Sequence, residues 1–393
     1  GGGDARYRTW LSAPGETLPL SADDLARCPA DALHERDPSD GPVMLTMWYG
    51  ASGILDETLT ALVDEYNASQ DRVQVRLQNQ NGYLELGDKY FQATPGERPD
   101  IAQFADYFLQ QVADTNTTVP VGACIASHDY DTSAFLDPAL LAYQTGGVQW
   151  SLPFNVSNPV LYYNMKMFED AGLDPTKPPV TLEELRSYSE QIVESGAATY
   201  GIAFDTGVDS GGGWFVEQWL ARAGLQFANN GNGREARATE VTFNRPETVK
   251  FLTDVQSMVT DGIAVNIGAN PSGQDVVLKM ADPNQPAAMG ITTSAGLGTV
   301  LSVVDAGLVP GITSDDVGIG PMPGPSPTPS ALVGGAALYI VDHDDPLRAA
   351  ASWDLLTYLA SPEVQSEWAA TTGYIPVRTD ALDVEPVKSV YVD

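Results

Sequence analysis

Apolar positions along this chain follow two periods that recur in alternation. VMLTMWYG (43–50) is a short, nearly continuous run of large apolar residues, the pattern of a strand covered on both faces. Leu55, Leu59, Leu62, Val63 and Tyr66 then fall on one stripe of a helix, and VQVRL (73–77) alternates with the period of a half-buried strand. A β-α-β order with its right-handed crossover makes the two strands parallel, as in α/β proteins. Two more apolar runs lie within 148–163, around the irregular LPFNVSNPV. The spacing predicts a helix near 182–193, opened by a capping box with Thr181 as N-cap and Glu184 three residues on. PMPGPSPTP (321–329) has proline at every second position and must run extended. It leads into a strand, ALYIV (337–341), and a helix, DPLRAAASWDLLTYLA. Ser361-Pro362-Glu363 then opens another helix, with an N-cap followed by proline at the first helical position. Residues 1–41 are polar and irregular, with one short helix in LSADDLARCPADAL.

Apolar strands at 152–162 and 332–341 are each embedded in long α/β stretches. If both cross between lobes, each lobe is built from discontinuous segments joined by a hinge. Length agrees: 393 residues suit two lobes of ~150–200 residues. The net charge of −32 repels phosphate backbones and anionic lipid, which sets nucleic acid and a basic membrane surface aside. No apolar run approaches the ~20 residues of a membrane span. The start GGGDARYR reads as a mature or trimmed end, either a flexible tether or a cloning scar. Cys28 and Cys124 stand in no CxxC and near no histidine at zinc-ligand spacing, so no metal site is expected. Two buried thiols and one disulfide both remain open.

The sequence carries no GxSxG, Walker A loop, HExxH, or GxGxxG opening a helix after a strand. With 52 acidic residues, a glycosidase-like carboxylate pair can be drawn almost anywhere and discriminates nothing. NGNGREAR (230–237) lacks the aspartate spacing and closing glutamate of an EF-hand and reads as a plain turn.

Binding candidates are easier to find. On a helical wheel of GWFVEQWLARAG, Phe215, Val216, Trp219, Leu220 and Ala223 form one apolar face. Trp214 lies about 170° from that face's centre, beside Gln218. Trp219 is therefore core. Trp214, preceded by Gly211, Gly212 and Gly213, is either an exposed aromatic over a loop or a ligand platform. Trp48 and Tyr49 end the first strand, at the carboxyl edge where α/β sheets bind ligands. Tyr83 follows the turn Asn81-Gly82, where a core role is awkward. Asp106, in QFADYFLQQ, is either a helix N-cap or a ligand contact. Arg378, in TTGYIPVR, either pairs with a surface acid or grips a phosphate with two prongs.

The stretch LPFNVSNPVLYYNMKMFEDAGLDPTKPPVTLEEL resembles the central signature of extracellular solute-binding proteins of bacterial ABC importers. TMWYGAS, the NGY turn, PMPGPSPTPSALVGGAALYIV and SPEVQSEWAATTGYIPVR extend the match from about 43 to 390 in the family's order. Within that family the Gly-Trp helix start, the Gly-Gly pair and the TGY-x-P ending are most similar to binders of glycerol 3-phosphate and glycerophosphodiesters. The resemblance implies a two-lobed α/β periplasmic-binding-protein fold of class II type, each lobe a mixed, mostly parallel sheet flanked by helices. It divides the chain into an extension 1–41, a first lobe of 42–154 and 336–376, and a second of 155–335 and 377–393. Ligand contacts are implied at Tyr49, Tyr83, Asp106, Ser157, Trp214, Ser294, Gly334, Gly335 and Arg378. No catalysis and no cofactor are implied. The ligand is a glycerophosphodiester or glycerol phosphate, or alternatively a sugar, closed upon by a hinge. The partner is an importer's membrane permease, the state monomeric and the place the outer side of the envelope, lipid-anchored or periplasmic. Export also favours a Cys28–Cys124 disulfide. Family members usually continue for several helices past VKSVYVD; if the chain is cut there, part of one lobe and some ligand contacts lie beyond it.

Overall fold

The computed structural model describes residues 20–207, 212–268, 275–309 and 311–390; the glycines of GGGDARYR, and Gly211, lie outside them. The chain forms two compact units, one of 1–156, 234–236 and 333–393, the other of 157–233 and 237–332. It passes from one to the other within two apolar stretches, after Val156 and after Leu332.

In the first unit, VMLTMWY becomes the strand Val43–Tyr49, parallel to Val73–Asn79 in register from Val43↔Val73 to Tyr49↔Asn79. The helix between them, Ile54–Ser69, buries Leu59, Leu62, Val63 and Tyr66, the stripe expected from the sequence. Ile101–Ala105 lies parallel on the other side of Val43–Tyr49. Next comes Gly334–Val341, antiparallel to it with Ala336 opposite Ala105, then the short Thr118–Val119. A late strand thus enters an otherwise parallel sheet against its direction, and Leu152–Ser157 pairs with that same strand. Trp48, Tyr90, Phe104, Phe108, Tyr143, Trp150 and Tyr339 fill the core on one side. Buried side chains of this size contribute about 1.5–3 kcal/mol each.

A disulfide joins Cys28 to Cys124, both fully buried, and fastens the 20–41 segment to the helix Val121–Ser127. Arg27 pairs with Asp342 and donates to the Thr118 carbonyl, which holds the same segment against the end of the sheet.

Residues 377–390 were expected in the second lobe and instead belong to the first unit. Leu136 N donates to Val377 O, and Thr379 N to Ala134 O, at 2.9 and 2.8 Å. Val377, Ala381 and Val387 are buried, and Ser366 Oγ donates to Val384 O while accepting from Val387 N. These apolar positions find their cover on the helix Pro362–Thr372, which already packs on Ile54–Ser69.

The second unit's sheet runs in the order 264–268, 200–205, 287–293, 159–164, 317–321. Its first three strands are parallel and the last two pairings antiparallel. The capping box is formed: Glu184 N donates to Thr181 Oγ1 at 3.1 Å, and the Glu184 carboxylate accepts from Thr181 N at 3.0 Å. The helix runs Leu182–Ser195, two residues past the expected end, and closes on Gly196 in the left-handed conformation. In NGNGREAR, Asn230, Gly231 and Asn232 are all left-handed and Asn232 Oδ1 accepts from Phe227 N and Ala228 N, a plain turn.

The helix Gly212–Arg222 carries Phe215, Trp219 and Leu220 into the core. Its other contacts explain the proline-rich segment. Prolines bring carbonyls without N–H groups, so the segment cannot satisfy itself. Trp219 Nε1 donates to Pro323 O at 3.0 Å, and the Arg222 guanidinium donates to the carbonyls of Met322, Ser326 and Thr328.

Candidate functional site

In the first unit a line of hydrogen bonds starts at the end of the first strand. Gly50 N donates to Gln103 Oε1 at 3.0 Å, and Gln103 Nε2 donates to Asn155 Oδ1 at 2.9 Å. Asn155 Nδ2 donates to the Tyr83 hydroxyl at 2.8 Å, and the Tyr374 hydroxyl lies 3.4 Å from it. Local sequence places each member. Tyr83 is the first residue of the helix Tyr83–Gln92, entered through the left-handed Asn81. A Cβ on Gly50 would stand 2.6 Å from the Gly82 carbonyl carbon, so glycine lets the two turns pack backbone to backbone. Tyr374 stacks on Trp368 at 5.4 Å. Burial, and then the neighbouring Tyr374, pushes the Tyr83 phenol well above its usual range, and burial raises Tyr374 too. Both stay protonated donors through neutral pH.

Gln103, Asn155 and Tyr374 were not singled out in the sequence. Gln103 is a polar residue in the fully buried run IAQFA, and Asn155 one in the fully buried LPFNVS. A buried amide inside an apolar strand was the signal that could have found them.

The other candidates of this unit have partners of their own. Tyr49 is buried, with its hydroxyl on Asp56; burial, then that carboxylate, pushes it up to about 12. Asp106 is half-buried and opens the turn Asp106–Phe108, where Ala105 holds the N-cap position. Its charge adds to burial in raising Tyr143. Gly334 and Gly335 open the strand that crosses the sheet, and Gly335 has φ +100°.

Arg378 forms the two-pronged grip considered for it, but on Asp380: Nε and Nη2 donate to the two carboxylate oxygens, both at 2.6 Å. Nη1 donates to Ala360 O at 3.1 Å and to the Tyr130 hydroxyl at 3.4 Å, and the group lies over the Phe135 ring. This is the acid-pair reading. The ion pair holds the Asp380 carboxyl below its usual range.

In the second unit Asn158 ties two candidates together, Ser157 and Ser294. Asn158 N donates to Ser294 Oγ at 3.3 Å and Ser294 N donates back to Asn158 O at 2.8 Å, which sets Ser294 beside the buried Ser157. Asn158 Nδ2 donates to Leu332 O at 2.9 Å. Gln218, buried one helical turn after Trp214, holds Leu332 from the other side: Leu332 N donates to its Oε1 at 2.6 Å. The half-buried Trp214 packs partly against the core formed by Phe215 and Trp219. Within this second unit, serine hydroxyls and an indole face suit a small polyhydroxylated solute with some apolar surface.

Residues 61–390 match the model of the bacterial extracellular solute-binding protein family, and the chain belongs to that family. Among characterised proteins, the chain is similar to the sn-glycerol-3-phosphate-binding periplasmic protein UgpB of Salmonella typhimurium, at 29% identity over 357 residues. That match covers 88% of this chain and 77% of the relative. UgpB of Yersinia pestis is 27% identical over 361 residues, with the same two shares. Among solved structures, UgpB from Mycobacterium tuberculosis in complex with glycerophosphocholine superposes with a TM-score of 0.74 at 19% identity, over 89% and 82% of the two chains. The cyclic alpha-maltosyl-1,6-maltose binding protein of Arthrobacter globiformis gives 0.68 at 25%, over 90% and 83%. Among the described residues, no helix is long and apolar enough to cross a membrane.

Proposed function

We propose that this protein is the solute-capturing component of an ABC importer and that its ligand is a glycerophosphodiester, such as glycerophosphocholine, or glycerol 3-phosphate. The observation that carries the reading is the match to glycerol-3-phosphate-binding relatives across 88% of the chain. Tyr83 and Asp106 in one unit, and Ser157, Ser294 and Trp214 in the other, are the residues assigned to the ligand, with the Gly334-Gly335 backbone. Tyr49 and Arg378 are left out, because Asp56 and Asp380 occupy their polar groups. Trp214 supplies an aromatic face for a glycerol chain or a choline ammonium, a cation–π contact of about 0.5–2 kcal/mol.

The protein binds its solute without transforming it, acts as a monomer, and hands it to a membrane permease from a lipid-anchored or periplasmic position. The buried Cys28–Cys124 disulfide supports an oxidising compartment. A sugar is the second reading, favoured by the likeness to the Arthrobacter maltosyl-maltose binder.

Parallel calorimetric titration with glycerophosphocholine, glycerol 3-phosphate and maltose decides between them. Binding of maltose alone overturns the phosphate reading, and consumption of glycerophosphocholine during the titration overturns binding without chemistry. Trp214→Ala is expected to lose about tenfold or more in affinity for whichever ligand binds. Unchanged affinity returns Trp214 to a surface aromatic.

A further inference from the structure

A backbone amide has only one polarity. Gly50 N–H can donate and nothing else, so the oxygen end of Gln103 must face it at 3.0 Å. The amide end of Gln103 is thereby turned to Asn155 Oδ1, and the amide end of Asn155 to Tyr83 Oη. Each orientation follows from the one before it, and Gln103 and Asn155, 3% and 1% exposed, have little water to offer them an alternative. Tyr83 therefore receives a hydrogen bond and keeps its own proton to give. Tyr374 is the nearest other phenol, and an oxygen–oxygen distance of 3.4 Å makes their mutual contact weak. Two phenolic protons meet one such contact, so one O–H is left for an acceptor outside the pair, and it is Tyr83's, because Tyr374 is buried at 6% exposure while Tyr83 is half-buried.

We propose that Gly50, Gln103 and Asn155 form a polarity relay that fixes the Tyr83 hydroxyl as a hydrogen-bond donor to the solute. This position then selects for ligands that present an acceptor oxygen there, such as a phosphodiester oxygen or a sugar hydroxyl. Gln103 and Asn155 are positioning residues: they act through Tyr83. The inference rests on the reading of Tyr83 as a ligand contact.

A double-mutant cycle tests it, because a relay acting through one hydroxyl has no effect once that hydroxyl is gone. Tyr83→Phe, Asn155→Leu and Gln103→Glu are made singly, and the last two also in the Tyr83→Phe background. Each is titrated with glycerophosphocholine and with maltose, and melting curves establish that it is folded. The ionised carboxylate introduced by Gln103→Glu offers only acceptors, so Asn155 must turn its amide toward it and present Oδ1 to Tyr83, which consumes the Tyr83 proton. Each single variant is expected to lose up to about tenfold in affinity, the range of one hydrogen bond, and each double variant to bind as Tyr83→Phe does. Losses that add in the double variants overturn the relay in favour of a merely structural role. So does wild-type affinity in both Asn155→Leu and Gln103→Glu. Wild-type protein that binds neither titrant nor glycerol 3-phosphate overturns the solute assignment beneath it, an outcome distinct from a relay that fails in a protein that binds.

Discussion

Gly335 lies against the backbone of Asn155: a Cβ on Gly335 would stand 2.0 Å from the Asn155 carbonyl oxygen. This second glycine of the crossing strand thereby fixes the height of the strand carrying Asn155, and with it the amide beneath the Tyr83 hydroxyl. Its φ of +100° adds a second requirement for glycine. Gly335→Ala is expected to cost about 3 kcal/mol or more through overlap and strain together. In a unit of this size that lowers the melting temperature by roughly 6–12 °C. A melting curve like the wild type's would show that the strand shifts freely.

Of the two roles open to Arg378, a pair with an acid or a grip on a phosphate, the structure shows the pair, with Asp380. Its guanidinium is held by Asp380, Ala360 and Tyr130, with 13% of the side chain exposed. Arg378→Ala is expected to lose about 1–3 kcal/mol of stability, mostly from charge-assisted bonds and packing on Phe135. The ratio of affinities for glycerophosphocholine and maltose should not change. A loss confined to the phosphate ligand would restore Arg378 to the binding surface.

The disulfide closes a loop with a sequence separation of 96. Cross-links of that span stabilise by about 4.7 kcal/mol in the chain-entropy account. Replacing both cysteines with serine should lower the melting temperature by roughly 10 °C. Limited proteolysis should cut first in the 20–41 segment, which then depends on Arg27, the Ser127–Leu25 hydrogen bond and the burial of Leu33. Protease resistance equal to wild type would assign the docking of that segment to the remaining contacts.

Buried tyrosines set the alkaline limit of stability. Tyr49 is held at about 12 against an ordinary value of 10.0, and Tyr83 and Tyr143 are also raised. A raised folded-state value means that the proton is bound more tightly in the folded chain. The contribution is complete below pH 10.0 and is lost as the pH rises toward about 12 for Tyr49. Melting temperature should therefore fall across that window, and tyrosinate absorbance of the folded protein should lag that of the denatured chain. Tyr49→Phe should flatten part of the fall. An unaltered profile would place Tyr49 in water rather than against Asp56.

Local features of the fold were legible wherever the partners stand within a few residues. Thr181 and Glu184 are three apart, and the stripe from Leu59 to Tyr66 repeats within one helix, so spacing alone fixes them. The same periodicity put Trp219 in the core, where it is buried, whereas Trp214, expected off that face, is half-buried and packs against the same cluster. Asp380 stands two positions after Arg378 and was an equally local signal, yet net charge and composition leave the choice of partner open.

By itself, the sequence determined the periodic elements, the capped helix starts and the family's order of motifs. Each depends on distances of a few residues along the chain, over which backbone geometry leaves few choices. The proline segment, expected to run extended, instead bends at 325–328 around Arg222. Only the tertiary structure decided that 377–390 joins the first unit, that Arg222 supplies the donors the prolines lack, and that Gln103, Asn155, Tyr83 and Tyr374 meet. Those contacts span 52, 72 and 291 positions. A hydrogen bond needs its atoms within about 3 Å, and over such spans only the packed sheets and helices can bring them there.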